Sequence, residues 1–125
     1  MSVLIENARV IDPASGLDAV GPVCIQGSEI LALNAIPENF EPRRRVDAAG
    51  RWLFPGLIDL AAHLREPGEE QKATIASETL AAARGGVTTV VVPPDTDPPV
   101  DSPAEVELIL RRAEQACGVR VLTMG

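Results

Sequence analysis

Residues 55–68 read PGLIDLAAHLREPG, from Pro55 to Gly68, and this stretch decides how the rest of the chain is understood. It opens on a Pro-Gly turn signal, runs through an apolar segment suited to a strand, and closes in a charged loop ending in Pro67-Gly68. A strand turns alternate side chains to the same face. Asp59, Ala61, His63 and Arg65 are therefore expected to project together from a strand over about Leu57–Ala62. His63 is the only histidine in the sequence.

On either side of this stretch the chain has two different rhythms. Residues 1–54 read as short strands separated by turns, a small β-rich, sandwich-like segment. Val3–Ile11 alternates in part and is broken by Asp12, Pro13 and Gly16. Pro22–Ile25 and Ile30–Leu33 flank a turn at Gln26-Gly27-Ser28-Glu29, and Arg45–Asp47 and Trp52–Phe54 surround Ala48-Ala49-Gly50. Residues 55–125 instead alternate strand and helix, the pattern of a parallel α/β sheet.

In this second segment a helix is expected around Ile75–Arg84, with Ile75, Ala76, Leu80 and Ala83 as its apolar face and Gly85-Gly86 as its stop. The Val and Thr run Val87–Val92 suits a strand buried on both faces. A second helix has Ser102 as N-cap, Pro103 in the first turn and Glu105 completing a capping box. Its apolar face uses Val106, Ile109, Leu110 and Ala113, with Gly118 as the break. Val119–Thr123 is the third strand. Three parallel strands and two helices cannot close a barrel and leave two apolar edges. The 125 residues are therefore expected to be the N-terminal part of a longer protein.

Composition narrows the function classes. The chain is 46% hydrophobic, enough for a globular core, yet far below the ~250 residues of a complete eight-stranded barrel. A net charge of −7 argues against nucleic acid and anionic membranes as main partners. Arg43, Arg44 and Arg45 form the one basic cluster, read as a solvated loop. No apolar run reaches the ~18 residues of a membrane span. The start lacks the basic n-region and long apolar core of a signal peptide. Cys24 and Cys117 suggest neither a disulfide framework nor a thiolate metal site, and reduced thiols point to the cytoplasm.

A second motif, TTVVVPPDTDPPVD at residues 88–101, completes the pattern. Together with PGLIDLAAHLREPG it resembles the N-terminal third of the dihydroorotases, within the cyclic amidohydrolases. Those proteins typically read P-G-x-I-D-x-H-x-H-x-R-x-P-G and T-T-x-x-x-M-P-N-T-x-P-x-x-D at these places. The β-rich start, the Gly85-Gly86-Val87-Thr88-Thr89 junction and the capped second helix follow in matching order. The resemblance implies an α/β fold: the first units of a metal-dependent-hydrolase (β/α)8 TIM barrel over 55–125, preceded by the small β-sandwich segment over 1–54.

The resemblance also assigns roles to four positions. In the active family two histidines of the first motif help hold a zinc pair, which polarises a ring amide and lowers the pKa of bound water to about 7. The chemistry interconverts dihydroorotate and carbamoyl aspartate. The first histidine position is Ala61 here, whose methyl group binds nothing. His63 matches the second; a lone histidine at a strand end is more often a hydrogen-bonded structural residue, so it is read as vestigial. Arg65 matches an arginine that pairs with a substrate carboxylate, a task its planar fork suits. An ion pair with Glu66, Glu69 or another local acid is the equal alternative.

Asp95 stands where the family has a substrate-binding asparagine. A carboxylate only accepts hydrogen bonds, whereas an amide also donates. It would repel an anionic substrate by about 4 kcal/mol at ~4 Å and an effective dielectric constant near 20, unless Arg65 neutralises it and is itself consumed. A rigid turn into the second helix is its other reading.

A metal ligand and a substrate contact are thus altered while turns and caps remain. The expectation is a non-catalytic dihydroorotase-like protein with no catalytic residue and no bound cofactor. By family resemblance it partners aspartate carbamoyltransferase catalytic chains in a hetero-oligomer, a heterododecamer, of de novo pyrimidine synthesis. Two alternatives stand beside it. One is an active zinc-dependent dihydroorotase using His63 and downstream ligands. The other is a module that binds an anionic pyrimidine precursor through Arg65 without chemistry.

Overall fold

The computed structural model describes residues 1–116 and 118–124. The chain divides into two compact units, Met1–Pro55 and Gly56–Gly125. Each has its own core and its own sheet.

The first unit is a five-stranded sheet. Strands β1 (Ser2–Asp12), β2 (Leu17–Gln26) and β3 (Glu29–Leu33) form antiparallel neighbours, while β4 (Arg44–Asp47) and the short β5 (Trp52–Leu53) both pair parallel to β1. One long strand accepts both because its register shifts between Ile5 and Ala8, where Asn7 takes a positive φ of 63°. The Asp12 carboxylate accepts hydrogen bonds from the Ala14 amide and the Ser15 hydroxyl, closing the turn into β2. Ala8, Val10, Val23 and Ala48 form the buried core, with Ile25, Leu33 and Leu53 packed against it. Cys24 is fully buried, its thiol pushed up by desolvation. Cys117 lies outside the described residues.

The second unit is a three-stranded parallel sheet in the order β6 (Leu57–Asp59), β7 (Val87–Val92), β8 (Arg120–Thr123). Helix α1 (Ile75–Arg84) connects β6 to β7, and α2 (Pro103–Ala116) connects β7 to β8. The helices pack on each other and on the sheet, burying Leu64, Ile75, Val90, Val92, Val100, Ile109, Ala113 and Val121. These βαβ units are what the strand–helix alternation predicts.

Three local expectations need correction. β7 is not buried on both faces: Val90 and Val92 are buried on one face, whereas Val87, Thr89 and Val91 on the other are only half-buried. α1 is rotated from its expected phase. It buries Ile75 and Thr79, while Leu80 is half exposed. Thr79 reaches the core because its hydroxyl donates to the Ile75 carbonyl at 2.6 Å and so needs no water. The cap of α1 is Thr74, whose hydroxyl accepts from the Ser77 amide while the Ser77 hydroxyl accepts from the Thr74 amide. Serine completes this box in place of the usual glutamate, so the sequence pattern missed it.

The third correction concerns β6. It ends at Asp59, not Ala62. The Asp59 side chain accepts a hydrogen bond from the Ala61 amide at 3.0 Å, a local turn that bends the chain out of the strand. One bond, Ala62 N–H to the Val91 carbonyl at 3.0 Å, still holds the bent segment beside β7. Strict alternation through Arg65 is therefore lost.

Candidate functional site

The residues singled out in the sequence come together just beyond the ends of β6 and β7. One loop carries Ala61, His63 and Arg65 from β6 to α1. The other carries Asp95 from β7 to α2. Both lie on the side of the sheet to which its parallel strands point, where loops rather than strands set side-chain direction.

His63 and Asp95 are bound to each other. Imidazole Nδ1 stands 2.6 Å from Asp95 Oδ2, and both side chains are about half exposed, at 48% and 49%. Asp95 is therefore partnered by His63, and not by Arg65 as expected from the sequence. The reason is where Arg65 goes. Its backbone takes a left-handed φ of 66°, a conformation costing a non-glycine residue about 1–2 kcal/mol. Its carbonyl accepts the Glu69 amide at 2.8 Å, and its guanidinium donates to Glu69 Oε2 at 3.0 Å. Of the alternatives for Arg65, the local ion pair with Glu69 is the one formed.

Glu69 also takes the Lys72 ammonium. Those two cations, Lys72 first and Arg65 second, hold its carboxyl below the ordinary glutamate range. The space between His63, Arg65, Pro67, Asp95 and Thr96 is about 10 Å³, room for about one water at most.

A catalytic zinc wants three protein ligands and an open position. Here Ala61 supplies a methyl group and the His63 imidazole is already engaged by a carboxylate. Among the described residues no group of three or more His, Cys, Asp or Glu side chains is gathered to hold a metal ion. The described residues alone do not fit a zinc pair.

The two loops are tied together at a second level that sequence reasoning missed. The Asp97 amide donates to the Pro67 carbonyl at 3.2 Å. Gly68, at φ 106°, lies so close that a Cβ there would meet the Asp97 carbonyl oxygen at 2.4 Å. Glu66 turns away from Arg65. Its Oε2 accepts the Ile75 amide at the start of α1 at 2.7 Å, and its Oε1 accepts Arg112 of α2 at 2.6 Å. Nothing local in the sequence pairs Glu66 with Arg112, which lies in α2, the third element after it along the chain. The expected cap of α2 is present in altered form: Ser102 caps the Ala104 amide at 3.3 Å, and its hydroxyl donates to the Glu105 carboxylate.

The sequence pattern of the Dihydro-orotase-like family matches residues 50–125. The chain belongs to that family. A Dihydroorotase-like protein of Pseudomonas aeruginosa is 47% identical over 125 residues, all of this chain and 30% of that protein. A protein named Dihydroorotase from Anaeromyxobacter sp. strain K is 45% identical over 123 residues, 98% of this chain and 28% of that one. The chain thus spans under a third of the length of these relatives.

Among solved structures, the L-hydantoinase of Arthrobacter aurescens superposes with a TM-score of 0.85 at 23% identity, over 98% of this chain and 27% of that one. At that identity the likeness is one of fold. The two units here match the fold of the N-terminal portion of that protein, as the paired motifs implied. No helix among the described residues is long and apolar enough to cross a membrane.

Proposed function

We propose that this protein is a non-catalytic dihydroorotase-like subunit that supports aspartate carbamoyltransferase in de novo pyrimidine synthesis, in the cytoplasm and without a bound metal. The single observation behind this reading is the His63–Asp95 pair beside Ala61. Where a metal clamp needs two free imidazoles, one position carries aliphatic carbon and the other imidazole is held by an acid. Arg65, the carboxylate-binding candidate, is held by Glu69. The name "Dihydroorotase-like protein" given to relatives from two Pseudomonas species agrees with it. Loss of the reaction leaves a rigid surface on which catalytic chains of the transferase can assemble, by family resemblance as a heterododecamer.

The test uses the purified full-length protein. It will carry well under one zinc per chain, will not cyclise carbamoyl aspartate, and will co-elute with aspartate carbamoyltransferase. Clear turnover, or separate elution at micromolar concentrations, overturns the proposal. A second reading, an active zinc-dependent dihydroorotase, is favoured by the relatives named Dihydroorotase at 45% identity. In that case His63 leaves Asp95 to join ligands from beyond residue 125, and zinc content and turnover rise together.

A further inference from the structure

We propose that Glu66 is the positioning residue of this site: its carboxylate fixes the loop that carries His63 and Arg65 by binding both helices at once. The proposal concerns the loop pair alone and holds whether or not the protein turns over substrate.

The magnitudes single out Glu66. The His63–Asp95 and Arg65–Glu69 contacts are 36–49% exposed on every partner, and solvent screening leaves pairs of that kind weak. They do not by themselves hold two loops in one arrangement. The Glu66 side chain is only 14% exposed. Each of its oxygens accepts a short charge-assisted hydrogen bond, one from the Ile75 amide and one from Arg112.

The acid also sits at the N-terminal end of α1, where the helix dipole favours negative charge. Arg112 is itself shared with Glu70 at 3.6 Å. Glu66 is thus fixed to α1 and α2, the two elements that frame the core. The next residue, Pro67, offers the carbonyl that receives the Asp97 amide. Force applied to Glu66 by the helices therefore reaches the Asp95 loop through Pro67–Asp97, and the His63 contact forms on a base already set.

A purely local role, as a cap of α1, predicts that losing Glu66 loosens α1 alone. A positioning role predicts that the disturbance appears at Asp97, which Glu66 does not touch. The experiment measures amide hydrogen exchange, residue by residue, in full-length protein carrying Glu66→Gln and, separately, Arg112→Met. Both variants are expected to speed exchange of the Asp97 amide about tenfold, with the β7 amides of Val90 and Val92 unchanged. Should Glu66→Gln fail to fold, Arg112→Met carries the test, because it leaves the capping carboxylate in place. Faster exchange confined to the first turn of α1, a uniform rise across both helices and β7, or no change at Asp97 each overturns the proposal. Zinc content and turnover are not read, so failure here is distinct from failure of the functional reading.

Discussion

His63 Nδ1 lies 2.6 Å from Asp95 Oδ2, and this contact joins the loop after β6 to the loop after β7. Neither residue's main chain belongs to the sheet there. The sheet brings the two loops side by side through β6–β7 pairing, and the side chains complete the connection. An acid at residue 95 changes what the neighbouring imidazole does. Its Nδ1 is committed to a partner within the protein.

Replacing Asp95 by Asn tests how much of the fold rests on that pair. The amide keeps a hydrogen-bonding group beside the imidazole and removes the charge. Because both side chains are about half exposed, solvent screening leaves little to lose, and the melting temperature of the full-length protein is expected to fall by about 1–3 °C. A calorimetric shift several times larger would make the pair a principal stabilising contact and Glu66 a secondary one.

Restoring a histidine at 61 alone is expected to leave activity absent. Ala61→His supplies one imidazole, but His63 still faces Asp95 and Arg65 still faces Glu69. Zinc stoichiometry by elemental analysis and cyclisation of carbamoyl aspartate are the readouts. Measurable turnover from this one change would mean that Asp95 obstructs far less than its charge suggests.

The parallel α/β order of the second unit was legible in the sequence because it rests on local signals. The Gly85-Gly86 stop, the Ser102-Pro103 start and the Val-rich run 87–92 each mark their own boundary. The site residues were legible as positions, through two motifs, and Glu69 was among the partners expected for Arg65, but the His63–Asp95 pair was not foreseen. Expecting Asp59, Ala61, His63 and Arg65 on one face assumed an unbroken strand. The Asp59 side chain ended it by taking the Ala61 amide, a competition between side chain and ladder that hydrophobic periodicity does not register. Arg65 chose Glu69 because its left-handed backbone keeps it within its own loop. Glu66 and Arg112 meet only because α1 and α2 pack together, a tertiary fact with no short-range trace. The phase of α1 was misread for a related reason. Thr79 looks polar in sequence but satisfies its hydroxyl on the preceding turn.

Gly68→Ala tests whether the two loops are in van der Waals contact. At φ 106° a side chain is strained whatever the space, and here the added carbon would stand 2.4 Å from the Asp97 carbonyl oxygen. Backbone strain and steric displacement together are expected to cost about 2–4 kcal/mol in urea denaturation. Gly86→Ala is the matched control, since its φ is also positive, at 81°, but nothing lies within 4 Å of the added carbon. The difference between the two variants isolates the loop–loop contact from the conformational term.

Acid titration tests the Arg65–Glu69–Lys72 group. Lys72 and Arg65 hold the Glu69 carboxyl below its ordinary value of 4.5. A carboxylate depressed in the folded state stabilises the protein above its unfolded pKa, and that contribution is lost as pH falls through the folded value. In full-length protein the melting temperature should therefore hold steady above about pH 5 and fall below it. Asp12, Asp18, Asp47 and Glu105 are depressed as well and contribute to the same acid limb. Glu69→Gln cannot titrate, so its loss of melting temperature between pH 5 and 3 should be shallower than that of the parent, with a small deficit at neutral pH. Parallel curves for the two proteins would mean that Glu69 is paired as strongly in the unfolded chain. That outcome would remove the Arg65–Glu69 contact as a reason for Arg65 to be unavailable to a carboxylate ligand.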